Sequence, residues 1–261
     1  MTNIVVLVKQ VPDTYSERKL SGADHTLDRE SADAVLDEIN EKAVEEALKI
    51  KEAGEGEVTV ISVGPDRATD AIRKALSMGA DKAIHVSDEA LHGSDAIATA
   101  KVIAAAISKV EGYDLIIAGN ESSDGRGGAV PAILAELLGL PQVTYAREVT
   151  VDGTTIKATR ETEDGLTHLE ATLPAVVSVG EKINEPRYPS FKGIMAAKKK
   201  PVETFTIADL GVDAGEVGLA NAWSTVTEAS PKPPRTAGEK VEDEGDGGTK
   251  VAEYLVGQKL I

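Results

Sequence analysis

Cysteine is absent from the 261 residues, which removes disulfides, thiolate nucleophiles and cysteine-ligated zinc or iron–sulfur centres from consideration. Aromatic residues make up only 3% of the chain, with one tryptophan and two phenylalanines. The core must therefore be aliphatic, and an exposed aromatic ring carries information. Positive charge is in deficit: 28 Lys and Arg stand against 44 Asp and Glu, a net charge of −16. Nucleic acid would be repelled at the range where encounter is steered, so no nucleic-acid partner is expected. No apolar run approaches the roughly 20 residues of a membrane helix, so the chain is not expected to be a membrane protein itself. The opening Met1-Thr2-Asn3-Ile4-Val5-Val6-Leu7-Val8 has no basic region before its apolar run. It reads as a first strand rather than a signal peptide, which points to a cytoplasmic location.

Catalytic signatures are missing too. His25, His85, His92 and His168 show no metal-ligand spacing, so no metal site is expected. Ser122 and Ser123 have no histidine near them in sequence and no G-x-S-x-G elbow occurs. Neither G-x-G-x-x-G nor the Walker pattern is present, which argues against a self-sufficient dinucleotide or NTPase site. The carboxylates Glu161, Glu163 and Asp164 read as a solvated turn in so acidic a chain. An enzyme with catalytic side chains of its own is not expected.

What is present alternates between strand and helix patterns. Apolar runs at 4–8, 58–63, 83–86 and 114–118 read as strands buried on both faces. Between them, helical periodicity is expected over 35–50, 68–76 and 129–138, and over 95–110 with Ser94 as cap. This rhythm implies parallel pairing through right-handed crossovers: an α/β, Rossmann-like, mostly parallel sheet flanked by helices. After Pro141 four short strands follow, with Asp152-Gly153 and Asp164-Gly165 as turn signals, and read as an antiparallel extension. Beyond Asn184 the patterning fades, ending in a proline-rich and then acidic, glycine-rich tail. The expected organisation is an α/β domain over 1–183, a loop over 184–200 and an extended C-terminal arm over 201–261.

Two segments stand out. Gly119-Asn120-Glu121-Ser122-Ser123-Asp124-Gly125-Arg126-Gly127-Gly128, leading into Ala129-Val130, lies between a buried strand and a helix. Doubly wound sheets bind ligands there, glycines let backbone N–H groups approach a phosphate, and Arg126 adds a full positive charge. The other reading of the same residues is a flexible surface loop. The second segment, 184–200, holds Tyr188 and Phe191, and from Lys182 to Lys200 it carries six basic residues and one acidic one. Restrained by its prolines, Phe191 either anchors a partner at low entropic cost or folds back over the chain's own core.

At these residues the chain resembles the electron transfer flavoprotein β subunit. Asn184-Glu185-Pro186-Arg187-Tyr188 with Ile194-Met195-Ala196-Ala197-Lys198-Lys199-Lys200 is similar to that family's recognition loop. Further likeness runs through Val8-Lys9-Gln10-Val11-Pro12-Asp13, Arg160-Glu161-Thr162-Glu163-Asp164-Gly165, Leu173-Pro174-Ala175-Val176-Val177 and Pro233-Pro234-Arg235-Thr236-Ala237-Gly238. The resemblance implies electron transport in fatty-acid β-oxidation by a heterodimer with an α subunit that holds most of the FAD. Electrons would come from acyl-CoA dehydrogenases and leave to a membrane quinone oxidoreductase. It also implies a structural AMP in a cradle of Leu7, Asp37, Val63 and the run Gly119 to Val130. Lys9, Asp13 and Tyr15 would form one wall of the flavin site. Phe191 would be the dehydrogenase anchor, with Tyr188, Ile194 and Met195 beside it, and Glu161 would hold the mobile FAD domain through an α-subunit arginine. Where the family carries neutral residues, this chain has the carboxylates Asp37 and Glu121. Three alternatives stay open: a second FAD in the AMP site with electron bifurcation, an adenine-nucleotide enzyme or stress-type ATP-binding protein on a similar sheet, and a scaffold without ligand.

Overall fold

Short aliphatic runs build the sheet because a strand buried on both faces needs no polar alternation. The structure, a computed structural model, describes residues 2–235, 238 and 240–261. Met1 of the opening run, Thr236 and Ala237 of the tail motif, and Glu239 of the acidic stretch lie outside the described residues. The described chain forms two compact units, residues 2–226 and 227–261.

In the first unit, β1 (Ile4–Leu7) leads through a small antiparallel pair, β2 (Gln10–Pro12) with β3 (Ala34–Leu36), into α1 (Glu38–Ala53). Then follow β4 (Val58–Val63), α2 (Thr69–Met78), β5 (Lys82–Val86), α3 (Ala96–Ile107), β6 (Leu115–Gly119) and α4 (Val130–Leu138). β7 (Gln142–Asp152), β8 (Thr155–Thr162) and β9 (Gly165–Thr172) form an antiparallel meander. β10 (Ala175–Val179), α5 (Phe191–Ala197) and β11 (Val202–Phe205) complete it. The sheet order is β11-β5-β4-β1-β6-β10-β7-β8-β9, parallel from β11 through β7. The architecture is thus the α/β, Rossmann-like sheet that the sequence predicts.

Its two faces are buried separately. One core joins Val6, Val60, Leu115 and Val177 to α1 and α2, and the other joins Val5, Ile61, Ile116 and Val176 to α3 and α4. The alternation along each strand sends successive side chains to opposite cores. Among the described residues no helix is long and apolar enough to cross a membrane.

Several boundaries differ from the sequence reading, each for a local reason. The helix expected from residue 35 begins at Glu38, because Asp37 accepts hydrogen bonds from the N–H groups of Ile39 and Asn40 and caps it. Residues 34–36, left free, pair with β2. Asp95, not Ser94, caps α3 by accepting from Ala98 N–H, while Ser94 Oγ accepts from Gly218 N–H. The fourth short strand after Pro141 is not antiparallel: β10 inserts between β6 and β7, parallel to both. Where the patterning fades, α5 and the edge strand β11 form, and Ile207 and Val217 reach the second core.

In the second unit, α6 (Gly247–Gly257) follows a turn in which Asp243 accepts from the N–H groups of Gly245 and Gly247. Its side chains Val251, Tyr254 and Val256 are exposed.

α5 packs against α2 so closely that a Cβ added at Gly193 would lie 2.5 Å from the Ser77 carbonyl oxygen. Gly193→Ala is therefore expected to destabilise the first unit by about 1–3 kcal/mol through enforced backbone shift. Urea unfolding measures it, and an unchanged midpoint would show that α5 is only loosely seated.

Candidate functional site

The chain leaves β1 toward β4 and β5 on one side, and leaves β6 toward β10 and β7 on the other. At such a reversal a doubly wound sheet usually has its ligand crevice, here at the carboxyl ends of β1 and β6. Leu7 ends β1, Val63 ends β4 and Gly119 ends β6, so the structure places three of the predicted cradle residues at that rim. An added Cβ at Gly119 would come 2.6 Å from Asn40 Nδ2, so glycine is what lets β6 end against α1.

Asp37 ties the rim together. It is fully buried, its Oδ1 caps α1, and its Oδ2 accepts from Ser123 N–H at 2.7 Å. Both oxygens are thereby committed to backbone donors, and Asp37 shapes the glycine-rich loop. Glu121, the other carboxylate, pairs with the Arg126 guanidinium at 3.3 Å. Neither faces the crevice as a bare charge.

Lys9 joins this loop rather than standing apart with Asp13 and Tyr15. Its ammonium lies 2.8 Å from Asp124 Oδ1 and 3.2 Å from Ser122 Oγ, and its N–H donates to Asn40 Oδ1. Arg29 reaches the other oxygen of Asp124 at 3.4 Å. Asp13 accepts from Tyr15 N–H, and the Tyr15 ring is 98% exposed at the start of the 13–33 excursion. Sequence reasoning missed Arg29 and Asn40: Arg29 lies in an unpatterned segment, and Asn40 reads as one more polar residue of an amphipathic helix.

The loop also contains polar atoms without partners. Ser123 Oγ and Asn120 Oδ1 are shielded from solvent and make no hydrogen bond among the described residues. Such an atom costs about 1–3 kcal/mol unless something bonds to it. α4 begins at Val130 with no side-chain cap and Pro131 in its first turn, which leaves its leading N–H groups open to an anion. The residues present therefore fit a nucleotide: N–H donors for phosphate, and oxygens to accept from ribose hydroxyls or a base amino group.

A second constellation lies on α1. Arg187 donates to Glu45 Oε2 at 2.8 Å and pairs with Glu52, while Asn184 bonds Glu46 and the Lys42 carbonyl. Both acids hold the Arg187 guanidinium above its usual range. At the far end Arg73 donates to the Ala197 and Lys200 carbonyls. Bolted at both ends, the segment leaves Tyr188 95% and Phe191 80% exposed, with Ile194 and Met195 half exposed. Phe191 does not fold back over the chain's own core. Glu161, on the β8 end, is shared by Arg147 at 3.1 Å and Lys182 at 3.2 Å.

Asp124 gives the loop a pH signature. Burial would raise its carboxyl, but Lys9, Ser122 and Arg29 outweigh that and hold it at about 2. A folded value below the unfolded one stabilises above the unfolded value and is lost as pH falls from about 4 through 2. Asp124→Asn is expected to cost about 2 kcal/mol at neutral pH and progressively less in acid. Parallel losses at pH 7 and pH 2.5 in denaturant titrations would overturn this.

The electron transfer flavoprotein domain family matches residues 24–210. An electron transfer flavoprotein subunit beta from Mycobacterium tuberculosis is 65% identical over 266 residues, covering 100% of both chains. The protein of the same name from Thermoanaerobacterium thermosaccharolyticum is 42% identical, covering 91% of each chain. That from Megasphaera elsdenii is 36% identical, covering 99% of each. The chain belongs to the electron transfer flavoprotein β-subunit family.

Proposed function

We propose that this β subunit pairs with an α subunit holding most of the FAD, and that together they carry electrons in the cytoplasm. The electrons pass from acyl-CoA-type dehydrogenases toward a membrane quinone oxidoreductase. The flavin supplies the redox chemistry. This chain's own residues hold, shape and dock, and no side chain here is assigned a proton transfer with substrate.

The observation that carries the nucleotide part is the pair of shielded oxygens, Ser123 Oγ and Asn120 Oδ1, without partners among the described residues, in the loop that leads to an uncapped helix start. In this reading residues 119–130 cradle a structural AMP. Backbone N–H groups near Gly127 and Gly128 take the phosphate, and Leu7 and Val63 line the apolar side. Asp37 holds the loop in place from below. Lys9, fixed by Asp124, links this cradle to the Asp13–Tyr15 stretch that would wall the flavin.

The docking part rests on the mounting of residues 184–200. Phe191, with Tyr188, Ile194 and Met195 around it, is held outward on a braced support, so little conformational freedom is lost when a dehydrogenase pocket closes on the ring. Its basic surroundings in an acidic protein favour an acidic rim on that partner. Glu161 would hold an α-subunit arginine, exchanging it for Arg147 or Lys182 and leaving the FAD domain free to swing. Residues 201–261 would serve as the arm that reaches the α subunit, with 201–226 belonging to the first unit and 227–261 forming the second.

Two measurements test this. Heat denaturation of the complex purified with its α subunit is expected to release one FAD and one AMP. Two FAD and no AMP would replace the AMP reading with bifurcation, and absence of any yellow complex would remove the carrier role. Phe191→Ala is expected to slow reduction by an acyl-CoA dehydrogenase about tenfold or more, the scale of an interface anchor, with assembly intact. Unchanged stopped-flow kinetics would discard Phe191 as the anchor.

A further inference from the structure

Tyr145 has a backbone conformation that an aromatic residue rarely adopts. Its φ is +58°, in the left-handed region, and its side chain is 44% exposed. Such strain costs about 1–3 kcal/mol and persists only where the surroundings impose it. They do so here. Between β7 and β10 the register shifts so that Thr144 and Tyr145 together face Ser178, a β-bulge. The buried Ser178 hydroxyl accepts from Tyr145 N–H at 3.0 Å. Arg160 grips the preceding residue, donating from Nε to the Thr144 carbonyl at 2.7 Å and from its guanidinium to Thr144 Oγ1 at 2.9 Å.

The bulge sends the phenol to the glycine-rich loop. An added Cβ at Gly128 would lie 2.8 Å from the Tyr145 hydroxyl, and Gly128 itself has φ +61°. Thus the hydroxyl reaches a residue two positions before the α4 start at Val130. Among the described residues no hydrogen bond from that hydroxyl accompanies the approach. In the same loop Ser123 Oγ, on a residue more than nine-tenths buried, also lacks a partner. The Tyr145 hydroxyl on β7 and Ser123 Oγ thus both belong to the surroundings of the one glycine-rich loop, residues 119–130.

We propose that Tyr145 is a specificity-determining residue of the loop site, its phenol hydroxyl donating to the phosphate of the bound nucleotide. This rests on the nucleotide reading above. The proposal accounts for a strained aromatic braced by Ser178 and Arg160 where an unstrained residue would serve the sheet equally well. It also gives the site a means of telling a nucleoside monophosphate from a free nucleoside, since the bond goes to the phosphate alone.

The test uses the complex with its α subunit, stripped of nucleotide and titrated with AMP and with adenosine. Tyr145→Phe keeps the ring and removes the hydroxyl. It is expected to weaken AMP about tenfold, the scale of a hydrogen bond to a charged group, and to leave adenosine unchanged. Tyr145→Gly accepts the left-handed backbone, so it should weaken AMP by more than tenfold without lowering the unfolding midpoint of the stripped complex. AMP affinity unchanged in Tyr145→Phe, or equal losses for AMP and adenosine, would overturn the assignment. A Tyr145→Gly midpoint that falls while affinity holds would make Tyr145 a structural residue. If the unsubstituted complex neither releases nor rebinds AMP, the nucleotide reading itself fails and this proposal with it.

Discussion

Asp37 is fully buried with a carboxylate that would be costly to desolvate alone, and three backbone N–H groups make its position tenable. A bare carboxylate there would cost several kcal/mol, whereas hydrogen bonds to a charged acceptor each return about 1.5–3 kcal/mol. The consequences spread outward. Capping fixes where α1 starts, which releases residues 34–36 to pair with β2. The bond to Ser123 fixes the loop after β6 against that helix start. With the loop held there, Asn120 and Ser123 keep oxygens turned away from water, and Lys9 finds Asp124. The β1–β6 reversal is therefore shaped by one side chain, both of whose oxygens accept from backbone N–H groups.

Residues 184–200 follow the opposite logic from the sheet that carries them. The central parallel strands are aliphatic and buried on both faces, while residues 184–200 are mounted by polar contacts: Arg187 on Glu45 and Glu52, Asn184 on Glu46, Arg73 on the Ala197 and Lys200 carbonyls. Polar mounting spends the acids of α1 inside the molecule and keeps the scarce apolar surface, Phe191 and its neighbours, for the outside. Tyr188 and Phe191 are thereby left exposed on a support held by polar contacts. The same economy applies at Tyr145, where a bulge and a strained φ angle turn a ring toward the glycine-rich loop instead of the core.

Much of this was legible in the chain. The period of Ile4 to Val8, of 58–63 and of 114–118 specifies buried strands, because only a parallel sheet covered on both faces tolerates uninterrupted aliphatic runs. The glycine-rich stretch lies between a strand and a helix, and at Gly119 Asn40 approaches so closely that a side chain there would have to displace it. Less legible were contacts made between distant residues. Arg29 and Asp124 are 95 positions apart, Asn184 and Glu46 are 138 apart, and neither pair has a local signature. The strand β11 was hidden because an edge strand needs only one buried neighbour, and Val202–Phe205 alternates too briefly to register.

The sequence by itself determined the fold class and the family and marked Asp37, Lys9 and Phe191 as candidates, since periodicity, composition and motif are properties of neighbours along the chain. Tertiary structure alone decided how those residues are used: that Asp37 serves the loop from within, that Lys9 belongs with Asp124, that Phe191 faces outward, and that Tyr145 reaches Gly128. Each depends on which elements the sheet order brings side by side, and strand order is fixed by burial and crossover geometry summed over the whole chain, not by any segment of it.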